Sequence, residues 1–355
     1  MRVIIATDAI GTLRSAQAGD LLAQGWPAAD RTVVPIAEAG ARFARAVADQ
    51  VHAEPSDGVS GGGLTTVLDT PERLLVSVEP QTTEPQLGID RDASSTPIGT
   101  ALAQALASSR FRAPEVVLDV SANRAHDAGA GLLAALGATA DVPLDAGVAG
   151  LTGVSRVDLK PVRQLLVGRR LTLIVPPDQL GLPLLGLRGI TSRFGRDQGW
   201  DPELLLGTDA TLQAFTVAAA PGERETHDWG ACGGLGFVAD LLGGRLLTGS
   251  AYCAEIARLP ELIRGADLLV TGCRVFDFAE RGGGVVARMA DLGARGNVPV
   301  ILIAGEVVIG SREMRSMGIE SAYPVRESRL DQPVDEVTEQ ELAETVSRVG
   351  RSWTW

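Results

Sequence analysis

The sequence predicts an α/β protein: two α/β domains with mostly parallel sheets flanking a cleft. Three observations lead there. Short apolar runs alternate with helix-length segments, beginning with residues 2–8, 15–25, 33–37 and 39–51. Strand, helix, strand, helix implies parallel pairing, because parallel neighbours need a crossover. Two later strands, 266–270 and 298–304, lead into Thr271-Gly272 and Gly305, and ligands of an open α/β sheet sit beyond the carboxyl tips of its strands. The length of 355 residues suits about two domains and is ample for a core.

Composition excludes several classes. A net charge of −12 argues against nucleic acid and anionic membranes as partners. A hydrophobic share of 45% with 42 glycines and few aromatics suits an α/β protein rich in Val, Leu and Ala. Lys160 is the single lysine, so nearly every basic residue is arginine. Cys232, Cys253 and Cys273 follow no metal or disulfide spacing. No uncharged run reaches the ~18 residues a membrane helix needs. The chain opens directly into a strand, so no signal peptide is expected and a cytoplasmic location follows.

In chain order, the first strand ends at Asp8. A carboxylate there lines an α/β cleft or caps the next helix. Residues 64–78 read as extended segments, 79–97 as a polar loop, and 98–108 as a helix. A strand at 115–120 leads to Asn123-Arg124-Ala125-His126-Asp127-Ala128-Gly129-Ala130-Gly131 and a helix over 132–136. Glycines in such a loop let the backbone approach an anion. Arg124 adds both bulk and positive charge, and His126 reads as a plain loop histidine. Residues 141–170 are rich in Val, Leu and Arg, and 171–175 is a strand. Gly230-Ala231-Cys232-Gly233-Gly234-Leu235-Gly236 opens a helical run at 237–242. Those glycines either present bare N–H groups to an anion or permit close helix packing. Asp277 stands beyond Thr271-Gly272, and a closing helix at 336–349 precedes Trp353 and Trp355.

These motifs, in this order, resemble bacterial glycerate kinases of the two-domain, non-P-loop type, over nearly the whole chain. The likeness rests on the 230–236 loop, on 269–272 and on 298–305. Asp8, Ser15 and Ala16 match the family's Asp-Ser-Phe-Lys-Gly-Ser-Leu-Ser-Ala. Glu38 and Gly40 survive from its acidic glycine turn, and Asp127, Gly129, Ala130 and Gly131 from its Asn-Asp-Gly-Gly-Ala-Gly. Pro183, Leu184 and Gly186 match a Pro-Leu-x-Gly turn. Thr271, Gly272, Asp277 and Gly283 match Thr-Gly-Glu-Gly-x-x-Asp-x-Gln-Thr-x-x-Gly-Lys. Apolar runs at 3–6, 268–270 and 300–303 read as buried parallel strands. They join 1–64 and 248–355 into one flavodoxin/Rossmann-like domain and leave 65–247 as the second.

The family transfers the ATP phosphoryl group to glycerate. The resemblance implies Asp8, Asp277 and Asp127 as catalytic carboxylates. It implies Gly233, Gly234, Gly236, Thr271, Gly272, Gly129 and Gly131 as the substrate- and nucleotide-binding backbone. Asp8, Asp127, Asp277 and the 233–236 loop are expected to converge; no metal ligand set is assigned. The departures are specific. Gly11, Gln198 and Gly284 stand at lysine positions, Cys273 at a glutamate, Ala279-Glu280 at Gln-Thr, and Leu182 at an asparagine. Phosphoryl transfer depends on cations around the transferring group, so weak or absent kinase activity is expected, with an unknown protein partner as the outlet. The alternative is an active kinase, using ATP and Mg2+ on a glycerate-like acid. Arg14, Arg196 and Arg281, close in sequence to the lost lysines, would then clamp the phosphate.

Overall fold

A computed structural model describes residues 1–80, 88–222, 225–278, 281–327 and 337–354. Residues 81–87 of the expected loop, Ala279, Glu280, residue 336 of the closing helix and Trp355 lie outside them. The elements in order are β1 (Arg2–Thr7), α1 (Ser15–Ala23), β2 (Asp30–Pro35), α2 (Gly40–Val51), β3 (Ser56–Ser60), β4 (Gly63–Asp69) and β5 (Arg73–Pro80). Next come α3 (Thr96–Ser108), β6 (Glu115–Asp119), α4 (Ala130–Ala135), β7 (Thr139–Ala140), α5 (Gly147–Gly150), β8 (Val157–Asp158), α6 (Lys160–Leu165) and β9 (Arg170–Ile174). Then follow α7 (Ile190–Asp197), α8 (Pro202–Ala219), α9 (Ala231–Leu241), β10 (Arg245–Leu247), α10 (Gly249–Ile256) and α11 (Leu259–Ile263). The chain closes with β11 (Leu268–Phe276), α12 (Gly283–Gly296), β12 (Val300–Val307), α13 (Ser311–Ser316), β13 (Ser321–Pro324) and α14 (Glu339–Ser352).

Two compact units result. The first comprises Met1–Glu38, Arg45–Ala53 and Thr248–Trp355. Its sheet runs β13-β12-β11-β1-β2, parallel throughout. Val3, Ile4, Ile5, Ala6 and Thr7 of the inner strand β1 are fully buried, which explains an apolar run without polar alternation. Helices α1 and α14 supply Leu22, Leu342 and Val346, and the segment after α1 supplies Trp26, to the core with Ile5, Val270 and Ile301. The Trp26 indole N–H donates to the Trp353 carbonyl at 3.2 Å, and the Trp353 indole N–H to the Tyr323 hydroxyl at 2.6 Å.

The second unit comprises Ala39–Ala44 and Glu54–Leu247. Its sheet runs β10-β9-β6-β5-β4-β3, parallel from β10 to β5 and antiparallel from β5 to β3. Leu102, Leu118, Leu132, Leu173, Phe215 and Phe237 build its core. Strand β3 is absent from the sequence reading because Ser56-Asp57-Gly58-Val59-Ser60 is polar and lies at the sheet edge. Helix α8 is also unanticipated. Its leucines are spread around the helix, Leu206 being 69% exposed, so no stripe stands out. It nonetheless starts on a legible signal, Asp201 capping Leu204 N–H at 2.8 Å with Pro202 behind it.

Two expectations about strand ends are corrected. Strand β11 does not stop at Thr271-Gly272 but continues to Phe276, and β12 passes through Gly305 to Val307. The extension is held by pairing: Cys273 lies opposite Ala304, Val275 opposite Glu306 and Phe276 opposite Val307. The helix expected at 237–242 follows the glycine loop: α9 spans Ala231–Leu241, but Cys232, Gly233 and Gly234 have non-helical φ, so its regular part starts after Gly234.

Candidate active site

In the first unit, β1 and β11 place Asp8 beside Gly272, the Asp8 N–H donating to the Gly272 carbonyl at 3.3 Å. Asp8 caps no helix; the N-cap of α1 is Arg14. One Asp8 oxygen accepts the Ala9 N–H at 2.6 Å. Ile10 and Leu13 then exchange backbone hydrogen bonds of 3.2 and 3.1 Å across a Gly11-Thr12 turn. Gly11 has φ +58°, a left-handed conformation that disfavours any side chain.

Glu38 follows β2, and its Oε2 accepts the Ser250 N–H at the start of α10, at 3.3 Å. Its Oε1 is buried without a partner among the described residues. Burial raises the Glu38 carboxyl above its ordinary range, the Ser250 bonds oppose the rise, neighbouring Asp8 adds to it and Arg288 offsets it. Asp8 and Arg288 thus act on Glu38 with opposite sign. Arg288 stands four residues after Gly284 on α12, on the same helix face one turn on. Its Nε is buried and unpartnered among the described residues, and its Nη1 lies 3.7 Å from Asp291. Thr271 is fully buried, and its hydroxyl has no partner among the described residues. Asp277 follows β11, its carbonyl accepting the Arg281 N–H at 3.1 Å. Arg281 is exposed, and Arg14, half exposed, lies 3.8 Å from Asp49.

In the second unit the glycine loop has an unusual backbone. Cys232, Gly233 and Gly234 have φ of 48°, 75° and 103°. A Cβ on Gly233 would sit 1.9 Å from the Ala125 carbonyl oxygen, and one on Gly234 2.5 Å from Ala128 Cα. The loop thus lies tightly on residues 125–128. The Asn123 amide fastens the two together, donating to Ala125 O at 3.0 Å and Cys232 O at 2.8 Å. Gly236 packs equally closely on the Asp228 carbonyl. Close packing, one of the two roles open to these three glycines, is present at each of them.

Asp127 is fully buried. Its Oδ2 accepts the Ser95 N–H at 2.8 Å, the Ser95 hydroxyl at 2.9 Å and the Gly131 N–H at 3.1 Å; Oδ1 accepts the Gly129 N–H at 2.9 Å. His126 is buried with Nε2 2.8 Å from the Thr191 hydroxyl, and burial pushes its pKa down to about 4. Asp119 accepts the Gly40 N–H at 2.5 Å, the Ser77 hydroxyl at 3.0 Å and the Ser121 N–H at 3.0 Å, while burial raises its carboxyl. Arg196 is exposed on α7, and the Gln198 amide donates to the Ile89 carbonyl at 2.9 Å. Burial raises the Cys232 thiol, leaving it a poor nucleophile.

Sequence reasoning did not single out Glu38, Arg288 or Asp119 as site residues. Glu38 was visible as the one acid left in the turn after β2. Arg288 was visible only through its four-residue spacing from Gly284. Asp119 ends an apolar strand and carried no separate signal.

Two units built on mainly parallel sheets, with carboxylates following strands and a glycine loop opening a helix, define a protein of the parallel α/β class. The chain belongs to the glycerate kinase family, whose model matches residues 75–354. It is 24% identical to the glycerate kinase of Bacillus subtilis strain 168, over 92% of this chain and 90% of that protein. It is 26% identical to an uncharacterised protein of Mycobacterium bovis, over 92% of this chain and 84% of that protein. Its fold matches a crystal structure named as a candidate glycerate kinase 2 from Salmonella typhimurium LT2, with a TM-score of 0.77 at 21% identity, covering 99% and 96% of the two chains. No helix among the described residues is long and apolar enough to cross a membrane.

Proposed function

We propose that this chain is a glycerate kinase family protein with weak or no phosphoryl-transfer activity. One observation carries the reading: no lysine stands at the three lysine positions of the motifs, and two of them are held by residues built into the fold. A Cβ on Gly11 would meet the Val337 carbonyl at 2.6 Å, in a left-handed turn. Gln198 spends its amide on Ile89, and Gly284 has no side chain. The transferring phosphoryl group needs cations at its oxygens, and each lost contact costs about 10²–10³ in rate. Asp8, Asp277, Thr271 and Gly272 remain the candidates for an acid or nucleotide edge, and Asp127, Gly129 and Gly131 for holding the loop. A protein partner is the outlet for a silent member.

The charge of Arg288, which acts on Glu38, favours a second reading, an active ATP-dependent glycerate kinase with arginine in place of lysine. Asp8 and Glu38 would then hold the magnesium ion of the nucleotide, the free Glu38 Oε1 being the oxygen to spare. Magnesium needs few protein ligands, since water and phosphate complete its shell. No group of three or more His, Cys, Asp or Glu residues among the described residues forms a fuller cage. When bound, the ion would neutralise phosphate charge. The test is glycerate-dependent ATP consumption by the purified protein with magnesium, beside an intact family member. The expected turnover lies far below the usual ~1–100 s⁻¹ and is unchanged by Ala at Arg14, Arg196, Arg281 or Arg288. Turnover in that range, abolished by Arg288→Ala, would establish the second reading instead.

A further inference from the structure

The second unit contains a cavity of about 680 Å³, a volume typical of small-molecule sites. Strand β8, the first turn of α6 and the C-terminal ends of α8 and α9 line it. Ala219, Trp229 and Phe237, all buried, form its base. Its rim carries Arg156, Lys160 and Arg163, all exposed. None of these three cations is paired with a carboxylate among the described residues.

Both acids in the lining are already engaged by uncharged donors. Asp240 accepts the Trp229 indole N–H at 2.7 Å, and Asp158 accepts the Lys160 backbone N–H at 2.9 Å. The two lining carboxylates keep their charge while accepting from neutral donors, and Asp141 accepts from Ser155 and the Arg156 backbone N–H at the same rim, so what the site offers an anion is three cationic side chains without a carboxylate partner rather than a net positive field. Lys160 is also the only lysine of a chain that otherwise uses arginine. The cavity reaches from Asp240 and Leu241 near the C-terminal end of α9 back to Phe237, which directly follows the glycine loop. Trp229, just before the loop, lines it as well, so the cavity and the loop share flanking residues.

We propose that this cavity is a second ligand site, for a small phosphorylated, hydroxyl-bearing metabolite. The phosphate would be held by Arg156, Lys160 and Arg163, and the hydroxylated body would lie toward Asp240 and Trp229. Arginine and lysine together suit this task, one clamping oxygens in a fork and the other acting as a point charge.

The lone lysine makes the test direct. The full chain is titrated calorimetrically with sn-glycerol 3-phosphate and with pyrophosphate. Acetylation of Lys160 is followed by peptide mass spectrometry with and without each probe, against potassium chloride at matched ionic strength. The expected result is binding of at least one probe, several-fold slower Lys160 acetylation, and affinity reduced about tenfold or more in Lys160→Gln/Arg163→Gln. Both substituted positions are exposed, so the variant should keep the parent melting temperature, which is checked alongside. The proposal is overturned if neither probe binds at millimolar concentration. It is equally overturned if the double variant binds as well as the parent, or if potassium chloride protects Lys160 as strongly as the probes.

Discussion

At the scale of single residues, Asp127 illustrates how a motif residue can serve the fold. Its carboxylate collects two backbone N–H groups from its own loop and both donors of Ser95. In water each donor has a partner; in a dry interior each must keep one. Asp127→Ala would orphan all four and should cost roughly 3 kcal/mol or more, since each buried unsatisfied group costs about 1–3 kcal/mol. Asp127→Asn, retaining one acceptor oxygen, should cost less. Urea melts measure both. A stability loss below ~1 kcal/mol accompanied by altered ligand binding would favour a chemical role for Asp127 over a structural one. The residue was legible as a motif match, but its partner Ser95 lies 32 positions away and nothing local points to it.

At the scale of elements, the entrance of α9 and the start of α14 make opposite demands. The α9 entrance needs an absent side chain. Gly233→Ala puts a methyl 1.9 Å from the Ala125 carbonyl oxygen at φ +75°. The left-handed conformation alone costs ~1–2 kcal/mol and the clash adds to it, so thermal melts should show severe destabilisation or failure to fold. A Tm within a few degrees of the parent would mean that the loop can lift from residues 125–128. The α14 start needs a charge. Glu341 accepts the Arg326 guanidinium through two bonds of 2.8 Å, and the Thr338 N–H and hydroxyl at 2.9 and 2.7 Å. The Arg326 bond leads in lowering the Glu341 carboxyl from 4.5 to about 2. Because the folded value lies below the unfolded one, the contribution to stability is full above pH 4.5 and is lost as pH falls through about 2. Glu341→Gln should therefore flatten the acid limb of a Tm-against-pH profile while staying folded at neutral pH. An unchanged limb would assign acid sensitivity to other carboxylates.

At the scale of the whole molecule, the chain keeps a family's architecture while departing from its charges. Fold and chemistry are separable because the core tolerates substitutions that a charged transition state does not. Adding lysine at Gly284 alone should accordingly leave glycerate turnover at background, since groups that stabilise one transition state act as a unit. The same change at Gly11 is sterically blocked by the Val337 carbonyl, so this feature of the fold resists simple reversal.

The sequence by itself determined the α/β class and the family, through features set by local backbone chemistry. Apolar runs such as Val3–Ala6 mark strands buried on both faces, and glycines persist where no side chain fits. The Gly61-Gly62 pair between β3 and β4, both left-handed, was an equally local hairpin signal, obscured because β3 itself is polar. The tertiary structure alone decided which residues meet. Asp8, Glu38 and Arg288 come from a strand end, the turn after β2 and α12; Arg156, Lys160 and Arg163 meet α8 and α9 around one cavity. Their proximity depends on packing between elements distant in sequence, and a charge takes its meaning from the groups that packing places beside it.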